Sequence, residues 1–105
     1  PTMAPYCADD EKYQVVDEMI DKINYMFLNN ESIIKQKIKN IITVNGVRFE
    51  LENGSWGLIR ASSNKPSLVI VIESLKSYDE VKEIFNFINS LLDATGKVGD
   101  YDQSI

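Results

Sequence analysis

The sequence predicts an α+β domain in which an antiparallel four-stranded sheet carries two helices packed on one face. Three observations predict it. Apolar residues recur every three or four positions in two separate segments, they alternate with polar residues between those segments, and two Asn-Gly pairs punctuate the alternating region. With 105 residues, 44% of them apolar, the chain has enough apolar side chains for one core. One domain is expected over residues 1–95, followed by a flexible tail over 96–105.

The first helix is expected over residues 9–27, where Val16, Met19, Ile20, Ile23, Met26 and Phe27 draw one stripe. Asp9, Asp10 and Glu11 stand at its start, where carboxylates satisfy free N–H groups and complement the helix dipole. A metal site is the other reading of that cluster, and it lacks a second group of oxygen ligands nearby in sequence. Residues 29–40 are polar and lysine-rich, with Ile33, Ile34 and Ile38 at irregular spacing, and read as a loop with a helical turn.

The period then changes to two. Val47, Phe49 and Leu51 alternate with Arg48, Glu50 and Glu52, the pattern of a strand with one buried and one wet face. Asn45-Gly46 and Asn53-Gly54 suit the positive φ angles of tight hairpins. Strands are therefore expected over 39–44, 47–52 and 55–61. A fourth, over 68–72, is apolar throughout and is expected inside the sheet with both faces covered. Ser77-Tyr78-Asp79-Glu80 has the form of a capping box opening a second helix, through Val81, Ile84, Phe85, Ile88, Leu91 and Leu92 to about residue 94. Residues 2–7 are a candidate edge strand, weakened by Pro1 and Pro5.

Composition excludes much chemistry. Without histidine there is no Ser-His-Asp or Cys-His relay and no imidazole ligand for a metal. The single cysteine, Cys7, forms neither an internal disulfide nor a zinc cluster, and reads as a reduced, small hydrophobe in preference to a reactive thiol. Sixteen acidic against eleven basic side chains, a net charge of −5, argue against nucleic acid and anionic membranes as partners. The longest apolar run, 68–72, is far too short to span a bilayer, and a cytoplasmic location is the expectation.

One loop gathers polar groups: Arg60-Ala61-Ser62-Ser63-Asn64-Lys65-Pro66. A guanidinium holds two oxygens of a phosphate or carboxylate, hydroxyls and an amide add donors, and Lys65 adds a second cation. Backbone N–H groups of such a turn also converge on anions. By residue type alone the loop is either an anion site or a solvated hairpin. Glu50, Glu52 and Glu73 read as exposed strand positions, and Trp56 as a packing anchor in preference to a lid over a sugar ring. No phosphate-binding glycine loop or paired catalytic carboxylates complete an enzyme.

The block from Asn45-Gly46-Val47 through Gly54-Ser55-Trp56, Arg60 and Ser62-Ser63-Asn64-Lys65-Pro66 to the strand ending at Glu73 resembles the C-terminal domain of the α-D-phosphohexomutases, the phosphomannomutase/phosphoglucomutase family. The order of elements matches too: a helix, a four-stranded meander and a closing helix. The resemblance implies a fold similar to the sheet and helices of the TATA-box-binding protein. It implies that Arg60 clamps the substrate phosphate that is not being transferred, that Ser62 donates a hydroxyl, and that Ser63 and Asn64 face the phosphate. Ser63 departs from the usual Gly or Asn, Asn64 from Thr, and Lys65 from Glu or Thr. The first two keep donor capacity, and Lys65, if it points inward, strengthens anion binding.

The resemblance also implies a parent enzyme that interconverts hexose 1-phosphate and 6-phosphate through a phosphoserine and a bisphosphate intermediate, with magnesium. Neither the reactive serine's motif nor the aspartate metal loop of that family occurs in these residues. On this reading the chain is a domain of a longer protein, its partners are the sugar phosphate and the remaining domains, and alone it is inactive. A stand-alone interaction domain using its exposed sheet face is the competing expectation.

Overall fold

The computed structural model describes residues 1–101. In chain order the elements are β1 (Thr2–Met3), β2 (Pro5–Cys7), α1 (Lys12–Leu28), β3 (Ser32–Ile33), β4 (Gln36–Ile42), β5 (Val47–Leu51), β6 (Trp56–Ala61), β7 (Leu68–Glu73), α2 (Tyr78–Asp93) and β8 (Val98–Tyr101). The period-two residues behave as alternation demands. Val47, Phe49 and Leu51 are fully buried while Arg48 and Glu50 are half-exposed. β5 pairs with β6 in a register that sets Val47 opposite Ile59 and Phe49 opposite Gly57. Both helices contribute to one core, with Met19 and Ile23 from α1 and Ile84 and Ile88 from α2 beside Phe49 and Ile70.

The main sheet has six strands, in the order β1-β7-β6-β5-β4-β3, and not the four expected. The four long strands are those read from the sequence, and two-residue strands extend each edge. At one edge Thr2 and Met3 pair with Val71 and Ile70. The candidate edge strand at 2–7 breaks there, because Pro5 has no N–H to offer the ladder. Its second half, β2, instead pairs with β8 in a separate two-stranded sheet.

At the other edge, the expected loop with a helical turn over 29–40 is corrected to a hairpin of β3 and β4. Its two turn residues, Ile34 and Lys35, have φ of 46° and 67°. A two-residue hairpin turn needs such angles, and Asn or Gly normally signals them. A β-branched residue and a lysine carry no such signal, so the turn was invisible to pattern reading.

Three further expectations are revised. The acidic cluster does not cap α1: Glu11 is the N-cap residue and makes no side-chain cap bond, while the Glu11 and Lys12 N–H groups donate to the Ala8 carbonyl. β7 lies inside the sheet, but only one of its faces is fully covered, since Val69 and Val71 remain half-exposed. Within the expected tail, residues 98–101 form β8; Tyr101 stacks edge-on against Phe85 at 5.2 Å and donates to Asn89 Oδ1 at 2.9 Å. Burial, and secondarily Asp93, push the Tyr101 hydroxyl up to about 12. The rest of that tail, 102–105, lies outside the described residues.

The Ser77 cap forms as read, its Oγ accepting from the Glu80 N–H at 3.1 Å. The reciprocal half of the capping box is replaced. The Glu80 carboxylate turns into the protein and accepts from Gln36 Nε2 at 3.1 Å, Asn53 Nδ2 at 2.8 Å, Ser74 Oγ at 2.7 Å and Ser55 Oγ. One buried carboxylate thereby ties β4, the β5–β6 turn and the start of α2 together. No helix of the described residues is long and apolar enough to cross a membrane.

Candidate anion-binding loop

The loop over residues 62–67 joins β6 to β7, neighbours paired from Trp56–Glu73 to Ala61–Leu68. Its neck is closed by the Ser62 N–H donating to the Ser67 carbonyl at 3.0 Å, and its exit by the Ser67 N–H donating to the Lys65 carbonyl at 2.8 Å. Among the described residues the N–H groups of Ser63 and Lys65 have no acceptor. An exposed turn with two free backbone donors matches the chemistry of an anion nest.

The sequence-identified residues divide into three sets. Arg60, exposed at the end of β6, and Ser63, exposed in the loop, line one cleft of about 670 Å³. Ser62 is buried, 6% exposed, and its hydroxyl donates to Asn64 Oδ1 at 3.0 Å, so these two residues bond each other. Lys65 lines a different groove, with Tyr6, Pro66, Asp100 and Tyr101. The structure thus brings Arg60 and Ser63 together and sets Lys65 apart from them.

The cleft also takes residues that sequence reading passed over: Tyr13, Asp17 and Ile20 from α1, and Thr43, Asn45 and Gly46 from the β4–β5 turn. The helix residues carried no local signal. The turn residues did, because antiparallel pairing of Val47 with Ile59 necessarily brings Gly46 beside Arg60. Asn45 has φ of 58° and Gly46 of 135°, as the Asn-Gly pair foretold. A Cβ on Gly46 would stand 2.3 Å from the Ile59 carbonyl oxygen and 2.8 Å from Arg60 Cβ. Gly46→Ala is therefore expected to cost about 2–3 kcal/mol, from backbone strain plus the clash, and to displace Arg60. Urea unfolding checks the first effect, and the amide shifts of residues 59–61 the second.

Trp56 lies at the opposite end of β6 from Arg60, four residues or about 13 Å along the strand. The Arg48 guanidinium stacks over its ring at 4.4 Å. It packs on the outer sheet face and does not border the cleft. Cys7 is fully buried, and burial, followed by Glu11, raises its thiol pKa, which suits an inert side chain and not a nucleophile. Among the described residues no three His, Cys, Asp or Glu side chains converge to hold a metal.

Comparison with known proteins agrees with this architecture. The family model of the phosphoglucomutase/phosphomannomutase C-terminal domain matches residues 7–91. The chain is 32% identical over 80 residues to a phosphopentomutase of Thermococcus kodakarensis, a stretch covering 74% of this chain and 16% of that protein. It is 37% identical over 78 residues to a phosphoglucosamine mutase of Methanocaldococcus jannaschii, covering 74% and 15%. A probable phosphoglucosamine mutase of Methanosphaera stadtmanae is 29% identical over 92 residues, covering 78% and 20%. The chain spans a fifth or less of the length of these curated relatives. With four long strands in meander order, a strand-end arginine on an open cleft and a family match over most of its length, this chain belongs to the phosphoglucomutase/phosphomannomutase family as its C-terminal domain.

Proposed function

We propose that this domain grips the substrate phosphate that is not being transferred, in a phosphohexomutase that interconverts sugar 1-phosphates and 6-phosphates. The observation that carries this reading is the opening of Arg60 and Ser63 onto one cleft, in a loop whose Ser63 and Lys65 N–H groups have no acceptor among the described residues. Arg60 supplies the bidentate clamp, Ser63 a hydroxyl and an amide, and Lys65 an amide. Ser62 and Asn64 reach the phosphate by exchanging their mutual hydrogen bond for bonds to its oxygens. We read the four long strands under two helices as a core similar to that of the TATA-box-binding protein, with β1 and β3 lying at its edges.

On this reading the domain contributes positioning, and the covalent steps, the phosphoserine and the magnesium belong to the rest of the parent enzyme. The mutase names of the relatives support a sugar phosphate as ligand. The test is a titration of the isotopically labelled chain with inorganic phosphate and with a hexose 6-phosphate, followed by amide chemical shifts. The largest shifts are expected on residues 60–65, with weak affinity and no mutase turnover by the chain alone. Largest shifts elsewhere would sink the assignment, and turnover would show that the chain carries more of the chemistry than positioning.

A further inference from the structure

Lys12, the first residue of α1, is 4% exposed, an unusual place for a lysine in an acidic protein. Its ammonium donates to the Lys65 carbonyl at 2.9 Å and to Asp9 Oδ1 at 2.9 Å, and it lies 5.4 Å from the Tyr13 ring centroid. The Lys65 carbonyl is the same group that closes the loop's own exit turn by accepting from the Ser67 N–H. The next carbonyl, of Pro66, accepts from the Cys7 N–H at 2.9 Å, and Tyr6 bridges to Ser67. The exit arm of the loop is thus held from below by α1 and β2, and its carbonyls point toward those elements.

Among the described residues, this arrangement leaves the Ser63 and Lys65 N–H groups without an acceptor. A loop that is already ordered loses less conformational entropy when it closes on a ligand. Asp9 is mostly solvent-exposed, its side chain 72% accessible, so it does not need Lys12 in order to be solvated. Among the described residues, the single long-range hydrogen bond that Lys12 makes is the one to the loop, 53 residues away.

We propose that Lys12 is a positioning residue for the anion loop: its buried ammonium holds the Lys65 carbonyl and pre-forms the phosphate-binding turn. The inference rests on the phosphate-gripping reading above and extends it to a residue outside the loop. Lys12→Met is the informative variant, because it keeps the aliphatic stem, leaves Asp9 hydrated and leaves the Lys65 carbonyl still bonded to the Ser67 N–H.

The experiment measures inorganic phosphate binding by amide shifts, hydrogen exchange of residues 62–67 and the unfolding midpoint, in the natural chain, Lys12→Met and Lys12→Arg. The expected result is phosphate affinity lowered about fivefold or more in Lys12→Met, faster exchange in the loop, and partial recovery in Lys12→Arg. A purely structural role would lower the unfolding midpoint and leave the affinity of the folded protein unchanged, which overturns the proposal, as does a Lys12→Met chain that binds phosphate like the natural one. If the natural chain shows no phosphate-dependent shifts in the loop, the phosphate reading itself fails and takes this role with it. That outcome is distinct from the preceding two, in which the natural chain binds.

Discussion

If the domain grips phosphate as proposed, Arg60→Ala will weaken phosphate binding by at least about tenfold, because hydrogen bonds to a charged group contribute about 1.5–3 kcal/mol and the guanidinium would make two of them to one phosphate. The fold should hardly notice. Arg60 is exposed at a strand end, and among the described residues it enters no ion pair. Its loss removes neither a buried contact nor a partner of a buried charge, so unfolding free energy should move by less than about 0.5 kcal/mol. Arg60→Lys should recover only part of the affinity, since an ammonium is a point charge without the planar fork. Phosphate titration and urea unfolding of the same samples separate the two effects. A variant that loses several kcal/mol of stability would show that Arg60 serves the sheet, and one that binds phosphate normally would remove it from the site.

Glu80→Ala should produce the largest stability loss, about 3 kcal/mol or more, because it strands four donors that converge on a buried carboxylate. Those donors are Gln36, Asn53, Ser55 and Ser74, from three separated stretches of chain. Burial alone would raise the Glu80 pKa, but the hydrogen bonds from Ser55, Ser74, Asn53 and Gln36 together hold it below the ordinary carboxylate value of 4.5.

The pH dependence follows from that direction. Between the lowered folded value and the ordinary unfolded one, the unfolded chain binds the extra proton, so stability rises with pH there. The Glu80 contribution is fully present above about pH 4.5 and is lost as the pH falls through the folded value. Glu80→Gln has no proton to take up, so its stability should fall less steeply on acidification. Thermal midpoints of the natural chain and Glu80→Gln, compared from pH 7 to pH 3, should converge at the acid end. A constant gap would show that the carboxylate's charge is not what the network stabilises.

The parts of the fold that were legible in the sequence are those whose signals are local. The alternation of Val47, Phe49 and Leu51, the stripes of α1 and α2, the Ser77 cap and the Asn45-Gly46 turn each rest on a few neighbouring residues. The β3–β4 hairpin was hidden because Ile34 and Lys35 take turn angles that their side chains disfavour, and only pairing in the sheet imposes them. β8 was hidden because Val98 and Tyr101 are too short a run to read as a strand before β2 arrives as a partner.

The candidate site divides along the same line. The residue types of 60–66 were plain in the sequence as a contiguous pattern, but by type alone they left an anion site and a solvated hairpin both open, and it is the family resemblance that implies a phosphate-gripping loop. The tertiary structure decided which of them share a cleft: Arg60 and Ser63 do, Ser62 and Asn64 bond each other, and Lys65 lines the groove on the other side. It also turned Glu80, which read in sequence as a capping residue, into a buried anchor, and it buried Lys12, to which the sequence attached no role. Composition and periodicity report what a residue is and which neighbours share its face. Which distant groups satisfy a buried charge depends on how helix, turn and strand meet, and that meeting exists only in the packed chain.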